Sequence, residues 1–274
     1  MASFSRFLPA SPLATSIEAY YFSETEASAK PGKESCLPTG QMAIVINLGH
    51  EVLRVAHQPD NQLQSFRGGV LHGAFSQCSV IDPGTLVTTI SICFKPGGAR
   101  LFLPMPAAEL TNQVVELSHL FGTTALELRE RLLAAQTDEE RVRILDYFLL
   151  ARAAWEQSLH PAVAFALASF QASAGSCSVL EMTEQLGLRP KRFIHLFEEA
   201  VGLTPKVFCR LLRFQEVLSR IENEQRVCWA ELVPDYGYFD QAHFIHDFRA
   251  FSGLTPQAYL KQRGPHRNHV PLPD

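Results

Sequence analysis

Three cations in four residues, Arg189, Lys191 and Arg192, stand at the head of a thirteen-residue segment that occurs twice. Residues 193–205 read FIHLFEEAVGLTP and residues 244–256 read FIHDFRAFSGLTP, with eight of the thirteen positions identical. Cationic side chains gathered there can neutralise phosphate, and a lysine can also donate to the acceptor edge of guanine. Other chemistries find little support. His50, His57 and His72 stand singly with no HxH pair, and no metal site is expected. The six cysteines (36, 78, 93, 177, 209, 228) form no CxxC, which argues against zinc or a redox motif and suits reduced thiols. No nucleophile–base constellation or paired carboxylate motif stands out. Gly97-Gly98 lacks the context of a phosphate loop and reads as a turn. No catalytic residue and no cofactor is expected.

The elements that must position these cations follow from helix grammar. Phe193, Leu196, Phe197 and Ala200 form one buried stripe at helical spacing, as do Phe244, Phe248 and Phe251. Gly202 and Gly253 follow the last turn, where a left-handed residue ends a helix. Thr204-Pro205 and Thr255-Pro256 then supply an N-cap hydroxyl and a proline at the first position of the next helix. Upstream of each copy lies a shorter helix. Val179–Leu186 runs into Gly187, with a second helix from Pro190; Cys228–Tyr236 runs into Gly237, with Asp240 as the N-cap of the helix carrying Phe244. Two short helices joined by a glycine-containing turn make a helix-turn-helix. A long helix from Pro205 to Ile221, with Val207, Phe208, Leu211, Leu212 and Leu218 inward, joins the two motifs and sets their spacing.

With these residues in place, 161–263 resembles the paired helix-turn-helix domain of the AraC/XylS family of bacterial transcription regulators. The most specific stretch is YGYFDQAHFIHDFRAFSGLTPQAY (236–259), and the resemblance covers about two fifths of the chain. It implies sequence-specific binding of double-stranded DNA by two reading helices. Matched position by position, base edges are read by Lys191, Ile194 and His195 in the first helix, flanked by Arg189 and Arg192. In the second they are read by Gln241, Ala242, Ile245 and His246, with His243 beside them. Glutamine bonds adenine bidentately and isoleucine packs on a thymine methyl. Both isoleucines could equally serve the core, and the histidines could be ordinary surface. His195 and His246 stand where the family more often has arginine, so affinity is expected to rise as pH falls through about 6.5. Pro234 lies inside the helix before the second turn, where it removes a backbone donor unless the helix starts near Glu231.

Charge sets a limit on this reading. The net charge is −4, and residues 161–264 hold eleven Lys or Arg against eleven Asp or Glu. The positive charge is local: Arg189, Lys191 and Arg192 at the first reading helix, and Arg210, Arg213 and Arg220 along the joining helix. Weak non-specific binding, assisted by dimerisation or an effector, is therefore expected.

The 274 residues allow two domains, and 46% hydrophobic content suits globular ones. The expected class is α+β. Residues 1–108 read as a β-rich sensing domain, with apolar runs at Ile17–Phe22, Met42–Leu48, Val70–Phe75, Cys78–Ile81 and Leu86–Phe94. Turn signals lie between them at Pro31-Gly32, Gly49, Pro59-Asp60, Gly68-Gly69 and Pro83-Gly84. Within the resemblance this half is a cupin-like β-barrel that encloses a small-molecule effector, and residues 94–110 form its closing strand and following helix. Residues 109–158 read as a helical extension. Thr124–Ala135 carries Leu126, Leu128, Leu132 and Leu133; Asp138 caps a second helix with Val142, Leu145, Phe148, Leu149 and Trp155 along one side. This hairpin either packs on the barrel or forms a homodimer interface. Residues 159–264 are the all-α DNA-binding domain, and 265–274 a tail. No apolar run is long enough for a membrane span, and the N-terminus lacks a signal peptide's apolar core, so a cytoplasmic protein is expected. DNA, an effector and a second copy are the expected partners, with RNA polymerase a further candidate. The alternatives are a cupin-type metal-dependent enzyme with an appended helical domain, and a protein–protein adaptor.

Overall fold

A computed structural model of the chain describes residues 3–24, 32–49, 52–57, 62–224 and 227–272. His50, Pro31, Pro59 and Asp60 lie outside the described residues, as does the side chain of His57. The N-terminal half holds β1 (Ser3–Phe7), β2 (Ile17–Glu24), β3 (Lys33–Cys36), β4 (Ala43–Asn47), β5 (Val52–His57), β6 (Gln64–Arg67), β7 (Gly69–His72), β8 (Ser79–Ile81), β9 (Thr88–Phe94) and β10 (Val114–Glu116). Helices follow: α1 (Leu117–Phe121), α2 (Thr123–Ala134), α3 (Asp138–Leu150), α4 (Pro161–Ala172), α5 (Val179–Leu186), α6 (Pro190–Val201), α7 (Pro205–Ile221), α8 (Trp229–Asp235), α9 (Gln241–Ser252) and α10 (Pro256–Gln262). The last element is a strand, β11 (His269–Leu272).

The strands form two antiparallel sheets, ordered β1-β2-β9-β4-β7-β10 and β11-β3-β8-β5-β6. Successive side chains of a strand point to opposite faces, so each strand of the larger sheet serves two environments. Register pairs Ile44 with Ile92 and Ile46 with Ile90 on one face, and Val45 with Ser91 on the other. The isoleucine face joins Tyr20, Phe22 and Leu71 in a core completed by Leu128, Leu132, Leu145, Phe148 and Leu149 of α2 and α3. The Tyr20 hydroxyl fastens α3 to this face by donating to Asp146 Oδ1 at 2.6 Å. The opposite face, with Ala43, Val45, Val70, Thr89 and Ser91, lines the space between the sheets. The helical hairpin therefore packs on the larger sheet, while Leu126, Leu133, Tyr147 and Leu150 remain exposed on its far side.

Several expectations need correction. Residues 94–110 contain no α-helix: Phe94 ends β9, and Gly98–Leu101 and Ala107–Leu110 are 3-10 turns. Pro104 and Pro106 lack the amide hydrogen an α-helix needs there. The helical region is interrupted by β10, which pairs with β7. Thr137, not Asp138, caps α3, its hydroxyl accepting from Glu140 N. Trp155 lies in a separate 3-10 turn beyond α3. The supposed tail contains β11, which pairs with β3 in the N-terminal half, Val270 opposite Ser35.

The C-terminal half is built twice around α7. Phe197 of α6 meets Phe208 of α7 at 5.5 Å, and its repeat equivalent Phe248 of α9 meets Phe214 of α7 at 5.2 Å. The first module closes a core of its own with Phe170, Met182 and Phe193. The second merges with the core of the N-terminal half through Leu203, Leu211, Phe214 and Phe244. Gly40, at φ 72°, admits this contact: a Cβ there would stand 3.2 Å from Leu211 Cδ1.

Candidate nucleic-acid interface

Local bonds reproduce the helix-turn-helix grammar in both copies. Ser178 and Glu181 form a reciprocal capping box on α5, which ends at Gly187 with φ 62°. In α6 the Gly202 amide donates to Glu198 O at 2.8 Å; in α9 the Gly253 amide donates to Arg249 O at 2.9 Å. Both glycines are left-handed. Thr204 Oγ1 accepts from Val207 N at 3.2 Å and Thr255 Oγ1 from Ala258 N at 3.1 Å. Asp240 caps α9 by accepting from His243 N at 2.7 Å. Pro234 does lie within α8, a helix of only seven residues that starts at Trp229 rather than near Glu231.

The residues expected to face DNA divide by exposure. Arg189, Lys191, Arg192 and His195 are exposed on the first module, as are Gln241, Ala242 and His246 on the second. His243 and both isoleucines are half-buried. Ile245 packs against the large core, which makes it a structural residue in part. His195 Nε2 lies 3.5 Å from Glu199, and His246 Nδ1 lies 3.5 Å from Asp247, with both imidazoles largely in solvent. The second turn exposes Phe239, an aromatic left 92% accessible beside the start of α9.

Arg210 and Arg213 of α7 are committed to the fold. Arg210 grips the buried Asp247 of α9 through Nε at 3.1 Å and Nη2 at 2.7 Å. Arg213 Nη1 donates to Gly237 O at 3.1 Å, in the second turn, and its guanidinium lies 5.3 Å from the Tyr238 ring centre. Arg220 pairs with Glu224 at 2.7 Å. Burial alone would raise the Asp247 carboxyl, but hydrogen bonding and charge from Arg210 hold it below the usual range. The one visible signal of this tie is a break in the repeat, because Asp247 stands where the first copy has Leu196. Leu196 packs on the apolar core of its module; the second module replaces that contact with an ion pair.

A second site lies between the two sheets, a cavity of about 670 Å³ lined by apolar and small polar side chains. His72 lines it and stacks on Phe75 at 4.1 Å. At one edge Glu34 Oε2 and His269 Nδ1 are 2.9 Å apart. His269 depresses the Glu34 carboxyl by this hydrogen bond, against a smaller opposing effect of burial. Among the described residues no group of three or more His, Cys, Asp or Glu is arranged to hold a metal ion.

Residues 182–262 match a family described as a helix-turn-helix domain. Curated relatives include XylDLEGF operon transcriptional activator 3 of Pseudomonas putida, 28% identical over 105 residues, which are 36% of this chain and 32% of that one. Activator 1 of the same operon is 29% identical over 102 residues, 34% of this chain and 31% of that one. Residues 182–262 are a helix-turn-helix domain, and the chain is similar in part to these XylS-type activators. The chain spans about a third of the length of these relatives. Outside the helix-turn-helix domain, residues 5–116 match a domain of unknown function (DUF6597). Among solved structures, the ToxT protein of Vibrio cholerae aligns over 95% of this chain and 97% of its own, with 8% identity and a TM-score of 0.45. Unsaturated fatty acid-bound ToxT aligns with 9% identity and a TM-score of 0.44, over 95% of this chain and 94% of that one. No helix among the described residues is long and apolar enough to cross a membrane.

Proposed function

We propose that this chain is a sequence-specific, DNA-binding transcription regulator that responds to a small molecule through its N-terminal domain. The observation that carries this reading is the pair of equivalent helix-turn-helix modules built on one helix, α7, with Lys191 and His195 exposed on one and Gln241 and His246 on the other. Lys191, Ile194 and His195, flanked by Arg189 and Arg192, read the first half-site. Gln241, Ala242 and His246 read the second, with His243 and Ile245 supporting the helix from its half-buried side. The uneven supply of exposed cations makes the first module the stronger anchor on phosphate. The cavity supports the effector half of the reading, since its volume of about 670 Å³ falls in the range of small-molecule sites. Residues 1–108 act as the sensing domain, 109–158 as the helical extension and 159–264 as the DNA-binding domain. The protein acts without catalysis, in the cytoplasm. The row Leu126, Leu133, Tyr147 and Leu150 on the hairpin supports a homodimer. RNA polymerase remains a candidate partner on the bound promoter.

Selection of bound duplexes from a random pool by the full chain tests this. A recovered motif with two half-sites about one helical turn apart is expected. Footprints should lose sequence preference over one half-site in Lys191→Ala and over the other in Gln241→Ala. Recovery of no motif, or unchanged footprints from both variants, would overturn the reading.

A further inference from the structure

We propose that the cavity between the sheets binds an apolar molecule bearing one basic head group, and that this head group is read by Glu34, which it takes from His269 on β11. The proposal rests on the cavity being the effector site and names the ligand class and the route of its signal. The body of the cavity, formed by Val45, Leu53, Val55, Val70, Ile81 and Leu86, offers a ligand apolar contact. Beside the imidazoles of His72 and His269, its hydrogen-bonding groups are small and neutral: Ser23, Ser79, Thr89 and Ser91. Burial pushes the Cys36 thiol up to about 12, so it too stays uncharged. The described lining includes neither lysine nor arginine, and its carboxylate is Glu34. An acidic ligand entering here meets a like charge and no permanent cation. A basic head group instead finds a carboxylate already poised at the wall, where a charge-assisted bond is stronger than in water.

The second half of the proposal follows from which strand carries His269. Glu34 lies on β3 and His269 on β11, diagonal neighbours across an antiparallel pair in which His269 stands opposite Cys36. β11 is an edge strand with an exposed proline, Pro271, held by four residue pairings to β3, by the Leu37 amide, which donates to Asn268 O at 2.8 Å, and by the buried side chain of Val270. It is a short, four-residue strand at the sheet edge. On its other side it is tied to α7. Gln215 Nε2 donates to Pro38 O at 2.9 Å, just past β3, and to Asn268 Oδ1 at 3.1 Å, just before β11. Arg267 Nη1 reaches Ser219 Oγ at 3.1 Å and Glu222 Oε2 at 3.2 Å, at the end of α7. A head group that takes Glu34 from His269 loosens β11, and α7, which carries both reading modules, loses one of its holds on the N-terminal half. Coupling of this kind is reciprocal, so anything that alters the hold of β11 must alter ligand affinity as well.

The test uses the full-length protein and the neutral dye Nile red, displaced in turn by n-decylamine, n-decanol and n-decanoate below their micelle concentrations. Decylamine is expected to displace the dye at least about tenfold more tightly than decanoate, the size of one charge-assisted bond. In Glu34→Gln that ratio should fall close to one. His269→Gln provides a second variant of nearly unchanged volume, in which decylamine should bind more tightly because Glu34 has lost its competitor. Hydrogen exchange then reads the coupling: decylamine should speed exchange of the Val270 and Leu272 amides by at least about tenfold as β11 opens. In Arg267→Ala, which lies outside the cavity, decylamine should still displace the dye, but operator affinity should no longer respond to it. Decanoate binding as well as decylamine, or a ratio unchanged by Glu34→Gln, overturns the ligand class and leaves an effector site of other specificity. Exclusion of Nile red by the folded protein would instead remove the effector reading itself. Unchanged β11 exchange on decylamine binding overturns the route through β11.

Discussion

Replacing Asp247 by asparagine should unfasten the second reading helix while leaving the first in place. The Asp247 side chain is 2% exposed and that of Arg210 22%. Asparagine keeps one acceptor but turns an amide hydrogen pair toward the guanidinium, leaving Arg210 without a counter-charge. Breaking a buried pair by removing one partner costs about 3–5 kcal/mol. Arg210 can rehydrate through its exposed fifth and still lies 5.1 Å from the Phe251 ring centre, so the lower end applies, about 3 kcal/mol. With a urea slope of about 2 kcal/mol per molar, the midpoint should drop by about 1.5 M. A local reporter exists, because Trp229 of α8 stands 5.3 Å from Phe244 of α9. In a Trp155→Phe background, Trp229 is the remaining tryptophan of the chain. Its fluorescence transition should move by the full amount, and a footprint on the selected operator should vanish over the second half-site first. The double change Arg210→Met with Asp247→Leu should recover most of the stability, since an apolar pair needs no counter-charge. A Trp229 midpoint within about 0.25 M of the parent, or equal loss of both half-sites, would refute the assignment of this ion pair as the fastening of the second module.

Other expectations follow from the same geometry. Lys191→Ala should weaken binding, relax preference at one base position and lower the salt slope of affinity by about one, measured by titration at several ionic strengths. Because Asp247 titrates below its ordinary value of about 3.9, the stability it contributes is fully present above that pH and is lost as pH falls through the lower folded value. The Trp229 transition should therefore weaken below about pH 4 in the parent, and this acid component should be absent from Asp247→Asn. Gly202, at φ 85°, would place a Cβ 3.1 Å from both Ala107 O and Ala74 Cβ, so Gly202→Ala should destabilise the contact between α6 and the N-terminal half by more than about 1 kcal/mol in urea unfolding. If the hairpin row is a dimer face, Leu126→Glu with Tyr147→Glu should yield monomers in sedimentation at concentrations where the parent is dimeric.

Much of the C-terminal domain was legible in the chain because its determinants are local. Ser178, Thr204, Asp240 and Thr255 cap helices whose amides lie two or three residues away. Gly187, Gly202 and Gly253 adopt left-handed backbone where each helix must stop. The stripe of Phe193 and Phe197 needs only helical periodicity to declare itself. The N-terminal strands were partly visible: β2, β4 and β9 are long apolar runs, whereas β3, β6 and β10 are three or four residues of mixed polarity. Such strands are held by register with distant neighbours, and nothing in their own residues selects that partner.

By itself, then, the sequence determined the repeated helix-turn-helix units, their caps and stops, and the cationic head of the first reading helix. Each depends on interactions spanning a turn or two of chain. Tertiary structure alone decided three other matters. It placed one face of β4 and β9 against α2 and α3 and the other around a cavity. It committed Arg210 and Arg213 of α7 to the second module, Arg210 as a buried tie to Asp247 and Arg213 as a donor to Gly237 O. It also returned residues 269–272 to an edge beside residues 33–36, setting His269 against Glu34. All three join residues far apart in the chain, where the free energy lies in closing a particular long-range contact and leaves no periodic trace in the residues between.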